Sequence, residues 1–396
     1  MIESRRRPRR AARQGSGRSS RGRSGRGRRR LATILIVVTV VAVIAGAAVI
    51  WLPRRASTAA TGPAAPALPS PDGTPTPTPT PRTAAEALLD ASDDPAACAV
   101  SFVGDGIADQ PMLETQGALY AHLPIPAREG AVFAGWYATP EDAAALAVGQ
   151  RVNGSKLVVC NAQQVTLYGG WTSPELNAAE DAHIPILMFH QFTTKPEGES
   201  GWLRANYAYI GDFEAQMAHI AAGGFYLPTW DELSAFIDGK LFLPDHSVII
   251  TDDDADQTWL DLAAPIVQKD SLLTTSFVIT AFRQAQPPNP FVLQRSHTND
   301  MHKAGANGKG EMVNLSAEQI AADLQASAAV LGAKEVIAYP YGHYNDTAKQ
   351  GVVQAGFDMA RTIEPGYVTI GTDKLALPVQ RINYGMGEKD LARMIG

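Results

Sequence analysis

From residue 184 to the C-terminus, short apolar runs alternate with longer amphipathic segments, and this alternation restricts the possible folds more than any other feature. The apolar runs have the length and composition of strands covered on both faces, and they fall at residues 184–189, 247–251, 275–280, 336–339 and 376–379. Helical periodicity marks the segments 212–222, 230–237 and 316–331, the last with Ser316 suited to its N-cap. Strands that alternate with helices predict an α/β protein built on a parallel (β/α) barrel.

Two polar segments follow apolar runs, where predicted strands end. Asp252, Asp253 and Asp254 close one strand, and His297 and His302 follow the run 291–293. Because functional side chains of parallel barrels collect at the carboxyl ends of the strands, we expect these groups to meet. Asp254 and the two histidines can supply the three protein ligands of an open zinc site, with the fourth position left for water. Asp253 could then take a proton from that water, so the residues predict a metal-dependent hydrolase.

At these positions the chain resembles the polysaccharide deacetylases of carbohydrate esterase family four, which share the NodB-homology domain. The resemblance covers roughly residues 184–396 and is closest to the extracellular branch that acts on poly-N-acetylglucosamine and related polymers. Four ordered blocks carry it, namely IPILMFHQF from Ile184, DFEAQM from Asp212, SHTNDMH from Ser296 and AYPYGHYND from Ala338. It implies a distorted (β/α) barrel and a divalent metal, most often zinc, with nickel, cobalt or iron compatible with the same ligands.

The family block Thr-Phe-Asp-Asp-Gly assigns its first Asp as general base and its second as metal ligand. The resemblance therefore implies that Asp253 is the base and Asp254 the ligand, with Asp252 in place of the aromatic residue and Ala255 in place of glycine. A register one residue earlier, which would make Asp252 the base, stays open, although Thr251 matches the family threonine. Ala255 suits this position only if its φ is negative or if the backbone tolerates a small side chain there.

The other blocks imply further site residues. The branch motif His-Thr-x-Asp-Met-His implies His297 and His302 as ligands, and a loop must bring them together because five residues separate them. In the block Tyr-Pro-Tyr-Gly, the residue after proline offers its backbone N–H to the developing oxyanion, a role that falls to Tyr341.

Two family features are missing. The usual arginine before the Tyr-Pro-Tyr-Gly block is absent, and no histidine follows His343 to act as the late general acid. The resemblance implies that Arg381 orients Asp253 instead, although a surface ion pair would explain this arginine equally well. It also implies that His190, at the end of the first strand, protonates the departing amine.

Residues 96–173 are predicted to form a separate β-rich module. The order Val-x-Phe, Phe-x-Gly-Trp-Tyr and Thr-Leu-Tyr resembles the internalin-type B repeat, a small β-grasp module that serves as a spacer or adhesive unit. This implies a possible contact with the cell wall. Both cysteines, Cys98 and Cys160, fall in the module, and a disulfide between them is left open because the sequence does not give their separation.

The N-terminal region indicates a membrane anchor. Residues 1–30 hold thirteen arginines and form a basic tail, whereas 31–52 carry no charge and are long enough for a transmembrane helix. The arginines place the N-terminus in the cytoplasm, and the Pro/Thr/Ala-rich linker 53–95 then holds the following domains outside the cell. A cleaved signal peptide and an RNA-binding arm are the alternatives for these segments.

Together these features predict an extracellular hydrolase in residues 184–396 that removes N-acetyl groups from an acetylated polysaccharide. The whole chain has a net charge of −6 despite its basic tail, which argues against nucleic acid as a partner. Two other functions stay open. One is an esterase of the same fold that removes O-acetyl groups from sugars, and the other is a non-catalytic protein that binds the cell wall.

Overall fold

The computed structural model describes residues 82–282 and 287–396. All of these residues belong to one compact unit, Pro77–Gly396. The predicted basic tail 1–30, the predicted membrane span 31–52 and residues 53–81 of the predicted linker lie outside the described residues. None of the helices in the described part of the chain is both long enough and apolar enough to cross a membrane.

The described residues form nine α-helices and fourteen strands, numbered in chain order. The helices are α1 Ala84–Asp90, α2 Pro140–Ala145, α3 Pro174–Ala179, α4 Ile210–Gly223, α5 Trp230–Ile237, α6 Ala264–Lys269, α7 Ala317–Leu331, α8 Asp346–Gln354 and α9 Glu388–Ile395. The strands are β1 Ala97–Val103, β2 Met112–Thr115, β3 Val132–Tyr137, β4 Arg151–Val152, β5 Gln164–Thr172, β6 Ile186–Phe189, β7 Gln191–Thr193, β8 Tyr207–Tyr209, β9 Ile249–Asp253, β10 Thr274–Val278, β11 Val292–Ser296, β12 Val336–Ala338, β13 Met359–Pro365 and β14 Leu377–Arg381.

Seven parallel strands close into a barrel. They follow one another around it in chain order, β6, β9, β10, β11, β12, β13 and β14, and β14 pairs again with β6. Both faces of β6 are covered, since Ile186 and Met188 belong to one buried cluster and Leu187 and Phe189 to another. This burial explains the continuous apolar runs of the sequence. The predicted α/β architecture with parallel strands is confirmed, and Ser316 caps α7 as expected.

The N-terminal part forms a second sheet of five strands, in the order β2-β1-β5-β3-β4. Strands β1 and β5 are parallel, and the other neighbours are antiparallel. A disulfide joins Cys98 of β1 to Cys160, with their Cα atoms 6.1 Å apart, which is within the range that such bonds span. The β-grasp assignment of this module stays a prediction.

This sheet and the barrel are fastened together by buried polar contacts. Arg151 of β4 is buried and donates to the carbonyl of Phe242 at 2.8 Å and to Glu232 of α5 at 3.4 Å. Asn153 donates to the same carboxylate at 2.7 Å. Gly135, with φ +107°, leaves the space that the Arg151 guanidinium fills, because an added Cβ would overlap that group. The module therefore packs on the barrel through a specific interface.

The predicted linker 53–95 needs a correction at its end, because residues 84–90 form helix α1. Thr83 and Glu86 make a capping box, in which each side chain accepts a hydrogen bond from the other residue's backbone N–H. Ala85 is buried, so the helix packs on the module. This signal, a threonine three residues before a glutamate, was readable in the sequence.

Candidate active site and metal centre

The structure brings the three predicted metal ligands together at the carboxyl ends of the barrel strands. Asp254 follows β9 directly and His297 follows β11, while His302 returns to the same point from a loop. Possible ligand atoms of these three residues all lie within 4.8 Å of one another. Asp254 Oδ1 is 3.4 Å from Nε2 of each histidine.

The contacts of this trio fit a bound cation. Asp254 Oδ1 is buried and has no hydrogen-bond partner among the described residues, although a buried polar atom is normally paired. Ligand atoms at about 2.0–2.1 Å from a tetrahedral zinc lie roughly 3.3–3.4 Å apart, which matches the two distances from Asp254 to the rings. Nδ1 of His297 is 2.9 Å from the carbonyl oxygen of Ala338. Donation to that oxygen directs the Nε2 lone pair of His297 toward Asp254.

Unusual backbone conformations position the ligands. Asp254 and Ala255 follow β9 with φ of 73° and 46°, and Thr298 and Tyr341 have φ of 70° and 59°. These left-handed conformations are uncommon for residues other than glycine, and they concentrate at functional sites. Ala255 therefore meets the second of the two conditions set by the sequence, since the backbone there has positive φ and carries a small side chain.

The loop between the two histidines is held by helix α7, through a residue that the sequence analysis missed. Asp323 accepts the backbone N–H of Asn299 at 2.7 Å and that of Asp300 at 2.9 Å. Burial raises the pKa of Asp323, and the two backbone hydrogen bonds oppose this effect. Its signal in the sequence is an acidic residue within the otherwise mostly apolar segment 320–324 of an amphipathic helix.

Asp253 is buried beside the ligands and forms an ion pair with Arg361, whose side chain is also fully buried. Arg361 lies on β13, which is not a neighbour of β9, so its side chain reaches across the inside of the barrel. On the way its guanidinium lies 5.0 Å from the centre of the Phe277 ring. Burial alone would raise the pKa of Asp253, but Arg361 and His190 hold it below its usual value.

The expectation that Arg381 orients Asp253 is wrong. Arg381, at the end of β14, donates instead to the side-chain oxygens of Asn206 at 2.6 Å and Asn383 at 3.1 Å. It still lines a groove over the candidate metal ligands, which is formed by His190, Trp202, Asn206, Asp253, Asp254, His297, His302, Tyr341, Ile363 and Arg381 among others. Arg361 takes the orienting position because it points into the barrel at the level of Asp253, whereas the two asparagines hold Arg381 at the rim.

His190 and Tyr341 both line this groove. His190 Nε2 is 3.6 Å from Asp253 Oδ2, the oxygen that Arg361 leaves free. Burial lowers the pKa of His190, and the nearby Asp253 and Asp254 only partly offset this. The backbone N–H of Tyr341 has no acceptor among the described residues, and its ring centre lies 4.4 Å from that of His302.

Asp252 does not belong to the groove. Its side chain is buried, and one oxygen accepts a hydrogen bond from Ser276 at 3.2 Å while the other has no partner among the described residues. Burial, followed by repulsion from Asp253 and Asp254, raises the pKa of Asp252 well above its usual value. Asp253 and Asp254 face the site, so the geometry favours the register in which Asp253 is the base and Asp254 the ligand.

A comparison with known protein families matches the part of the chain that contains the candidate metal ligands. Residues 242–360 match the family model described as Polysaccharide deacetylase. The matched segment contains Asp253, Asp254, His297, His302 and Tyr341, and it excludes His190, Arg361 and Arg381.

Two named relatives are staphylococcal enzymes. The chain is 29% identical over 156 residues to the poly-beta-1,6-N-acetyl-D-glucosamine N-deacetylase of Staphylococcus aureus, an alignment that covers 34% of this chain and 54% of the relative. It is 26% identical over 188 residues to the enzyme of the same name from Staphylococcus epidermidis, covering 42% of this chain and 65% of the relative. The chain thus spans between half and two thirds of the length of these relatives.

Solved structures with a similar backbone include a Streptococcus pyogenes deacetylase, PplD, in complex with acetate. It has 22% identity and a TM-score of 0.46, with 55% of this chain and 99% of that chain covered. The structure of IcaB from Ammonifex degensii has 20% identity and a TM-score of 0.44, with 54% and 96% covered.

Proposed function

We propose that this chain, in which residues 242–360 are a polysaccharide deacetylase domain, hydrolyses N-acetyl groups of an extracellular polymer that contains N-acetylglucosamine. The observation that carries the proposal is the grouping of Asp254, His297 and His302 around one point, beside the ionised Asp253. The staphylococcal relatives are named for action on poly-beta-1,6-N-acetyl-D-glucosamine, and we propose a polymer of this type as the substrate.

Asp254, His297 and His302 would hold a divalent cation. Zinc suits one oxygen and two nitrogen ligands best, and nickel, cobalt or iron would fit the same set. When bound, such an ion polarises a carbonyl oxygen and lowers the pKa of a water molecule.

The protein's own groups move the protons. Asp253 is kept ionised by Arg361 and accepts a proton from the water that attacks the acetamide carbon. The Tyr341 N–H donates to the oxygen that becomes negative during this attack. His190 is neutral at rest because burial lowers its pKa, and it lies beside Asp253. The proton that Asp253 takes from the water passes to Nε2 of His190, 3.6 Å away, and His190 then delivers it to the departing nitrogen as the C–N bond breaks, which yields acetate and a free amine.

We also propose that the catalytic domain acts outside the cell. The uncharged segment 31–52, preceded by the arginines of residues 1–30, would anchor the chain in the membrane with its N-terminus in the cytoplasm. The disulfide between Cys98 and Cys160 supports this location, because such bonds persist in oxidising compartments. The module 96–173 would then lie close to the cell wall.

The test is acetate release from N-acetylated and O-acetylated sugar polymers by the wild type, His190→Ala and Asp253→Asn. An amide requires protonation of its leaving nitrogen, whereas an ester does not, so His190→Ala should lose N-deacetylation much more than O-deacetylation. Asp253→Asn should lose both. Preference of the wild type for O-acetyl groups would favour the esterase, and polymer binding without any acetate release would favour a wall-binding protein.

A further inference from the structure

Trp202 is the most exposed large apolar side chain among the described residues, and it lies on the wall of the catalytic groove. Its side chain is 90% exposed. The groove encloses about 380 Å³ and contains Asp253, Asp254 and His302 in the same cavity as Trp202. Leu203, Tyr341 and Ile363, which line the same groove, are also partly exposed, and apolar surface gathered at a groove marks a binding site.

The loop that carries Trp202 is fastened on both sides. Arg204 donates to the carbonyl of Glu197 at 2.6 Å, and the hydroxyl of Tyr384 donates to the carbonyl of Pro196 at 2.7 Å. The Arg204 guanidinium also lies over the Tyr384 ring, 4.5 Å from its centre. These contacts hold the ends of the loop and leave the indole at its tip.

Gly198 shows how closely this loop packs. It has a φ of +79°, and an added Cβ would lie 2.5 Å from the Tyr384 ring. Lys195 and Glu199 form an ion pair at 2.7 Å across the same turn. The backbone of the loop is therefore held by its own contacts, and the indole of Trp202 projects from it into solvent at the groove.

The rest of the groove combines apolar edges with polar groups. Tyr341 and Ile363 line it with exposed fractions of 43% and 38%. Arg381 and Asn206, which are hydrogen-bonded to each other, supply polar groups in the same cavity. Apolar surface with a few placed polar groups is the usual composition of a site for a small organic ligand.

We propose that Trp202 stacks against the sugar unit next to the one whose acetamide is hydrolysed, so that the groove recognises an oligomer. This inference rests on the proposed function. The rings of a β-linked N-acetylglucosamine polymer carry equatorial substituents and present C–H groups on both faces. Such a face is complementary to an indole ring, which is apolar and electron-rich. Stacking on Trp202 fixes one sugar ring while the adjacent sugar, whose acetamide is hydrolysed, lies in the groove.

A lipid surface is the other chemistry that an exposed Trp202–Leu203 pair could meet. Attachment to an anionic bilayer is strengthened by an excess of lysine and arginine. Over residues 195–204 the charges balance, with Lys195 and Arg204 against Glu197 and Glu199. The groove also continues from this loop to Asp254, which favours a ligand that occupies both.

The test compares Trp202→Ala, Trp202→Phe and the wild type on a β-1,6-linked N-acetylglucosamine pentamer and on a small acetyl ester. We expect Trp202→Ala to raise KM for the pentamer about 10- to 100-fold, the usual range for a stacking contact, with kcat little changed. Trp202→Phe should restore most of the loss, and the small ester should be hydrolysed equally by all three. Phe282→Ala, which removes another exposed aromatic ring outside the groove, is the matched control.

Equal KM values for the pentamer in wild type and Trp202→Ala would overturn the stacking role, as would an equal loss on both substrates. Binding of the wild type, but not of Trp202→Ala, to phosphatidylglycerol vesicles would assign the ring to a membrane instead. If the wild type released no acetate at all, the proposed function would fail separately. Calorimetric titration with the pentamer still decides the role of Trp202 in that case.

Discussion

Arg361 reaches across the inside of the barrel to pair with Asp253, although their strands are not neighbours. Lysine keeps a positive charge but lacks the longer planar guanidinium with which Arg361 reaches Asp253, so in Arg361→Lys the burial of Asp253 is less well compensated and its pKa should rise. We predict that Arg361→Lys lowers kcat for N-deacetylation by about 100-fold, in the range of a misplaced proton acceptor, and moves the acidic limb of the pH–rate profile upward.

Metal content should stay at the wild-type level in Arg361→Lys, because Arg361 contacts none of the three ligands. The matched control is Arg295→Lys, which alters the half-buried Arg295–Glu335 pair outside the groove. Its pH–rate profile should equal that of the wild type. An unchanged profile in Arg361→Lys would contradict the assigned role.

Asp323 holds the loop that carries His302, and this predicts an effect on metal affinity. Asp323→Ala removes the acceptor of two backbone N–H groups, so the loop should lose its shape. Groups that orient metal ligands typically contribute about 10- to 100-fold in affinity. Isothermal titration with zinc should show a loss of this size, whereas Glu318→Gln on the exposed side of α7 should bind zinc normally. Normal zinc binding by Asp323→Ala would refute the assignment.

The left-handed backbone at Ala255 predicts that glycine is preferred there. Glycine adopts a φ of +46° without the clash that a Cβ causes. We predict that Ala255→Gly raises the free energy of unfolding by up to about 1 kcal/mol and keeps deacetylation. Ala328→Gly, within helix α7, should lower it by about 1 kcal/mol. Denaturant unfolding of the two variants measures both effects, and a destabilised Ala255→Gly would show that its backbone is not strained.

The raised pKa of Asp252 predicts a dependence of stability on pH. The unfolded chain releases this proton near its ordinary pKa of 3.8, whereas the folded protein keeps it to a higher pH. Stability from this group is complete below pH 3.8 and is lost as the pH rises toward the folded pKa.

Asp252→Asn cannot ionise, so it removes the loss of folding stability that Asp252 causes as the pH rises. In the presence of a chelator, the variant should be more stable than the wild type at pH 7, and the difference should shrink toward pH 4 by about 1.4 kcal/mol for each unit below the folded pKa. Asp109→Asn, at an exposed position, is the matched control. A constant difference in the free energy of urea unfolding between pH 4 and pH 7 would contradict a raised pKa of Asp252.

The barrel and the ligand trio were predictable because each depends on local sequence. Continuous apolar runs show strands covered on both faces, and the acidic and histidine segments stand directly after such runs. The carboxyl ends of parallel strands must meet, so Asp254, His297 and His302 could be placed together before any geometry was known.

Arg361 could not be predicted in the same way. Its role depends on a contact across the barrel with a residue 108 positions away. The residues around Arg361, Met-Ala-Arg-Thr, do not indicate this ion pair, because an arginine in such a segment could lie on any strand. The sequence predicts the wrong arginine for Asp253, because Arg381 lies in a recognisable motif. The hydrogen bonds to Asn206 and Asn383 that hold Arg381 at the rim leave no signal in the sequence.

The most direct test of the account measures metal content and acetate release together, on the full chain stripped with a chelator and titrated with zinc. We predict that about one equivalent of zinc restores acetate release from poly-N-acetylglucosamine, and that Asp254→Ala neither retains the metal nor recovers activity at the same zinc concentration. Full acetate release by the stripped wild type, or by Asp254→Ala without bound metal, would contradict the account.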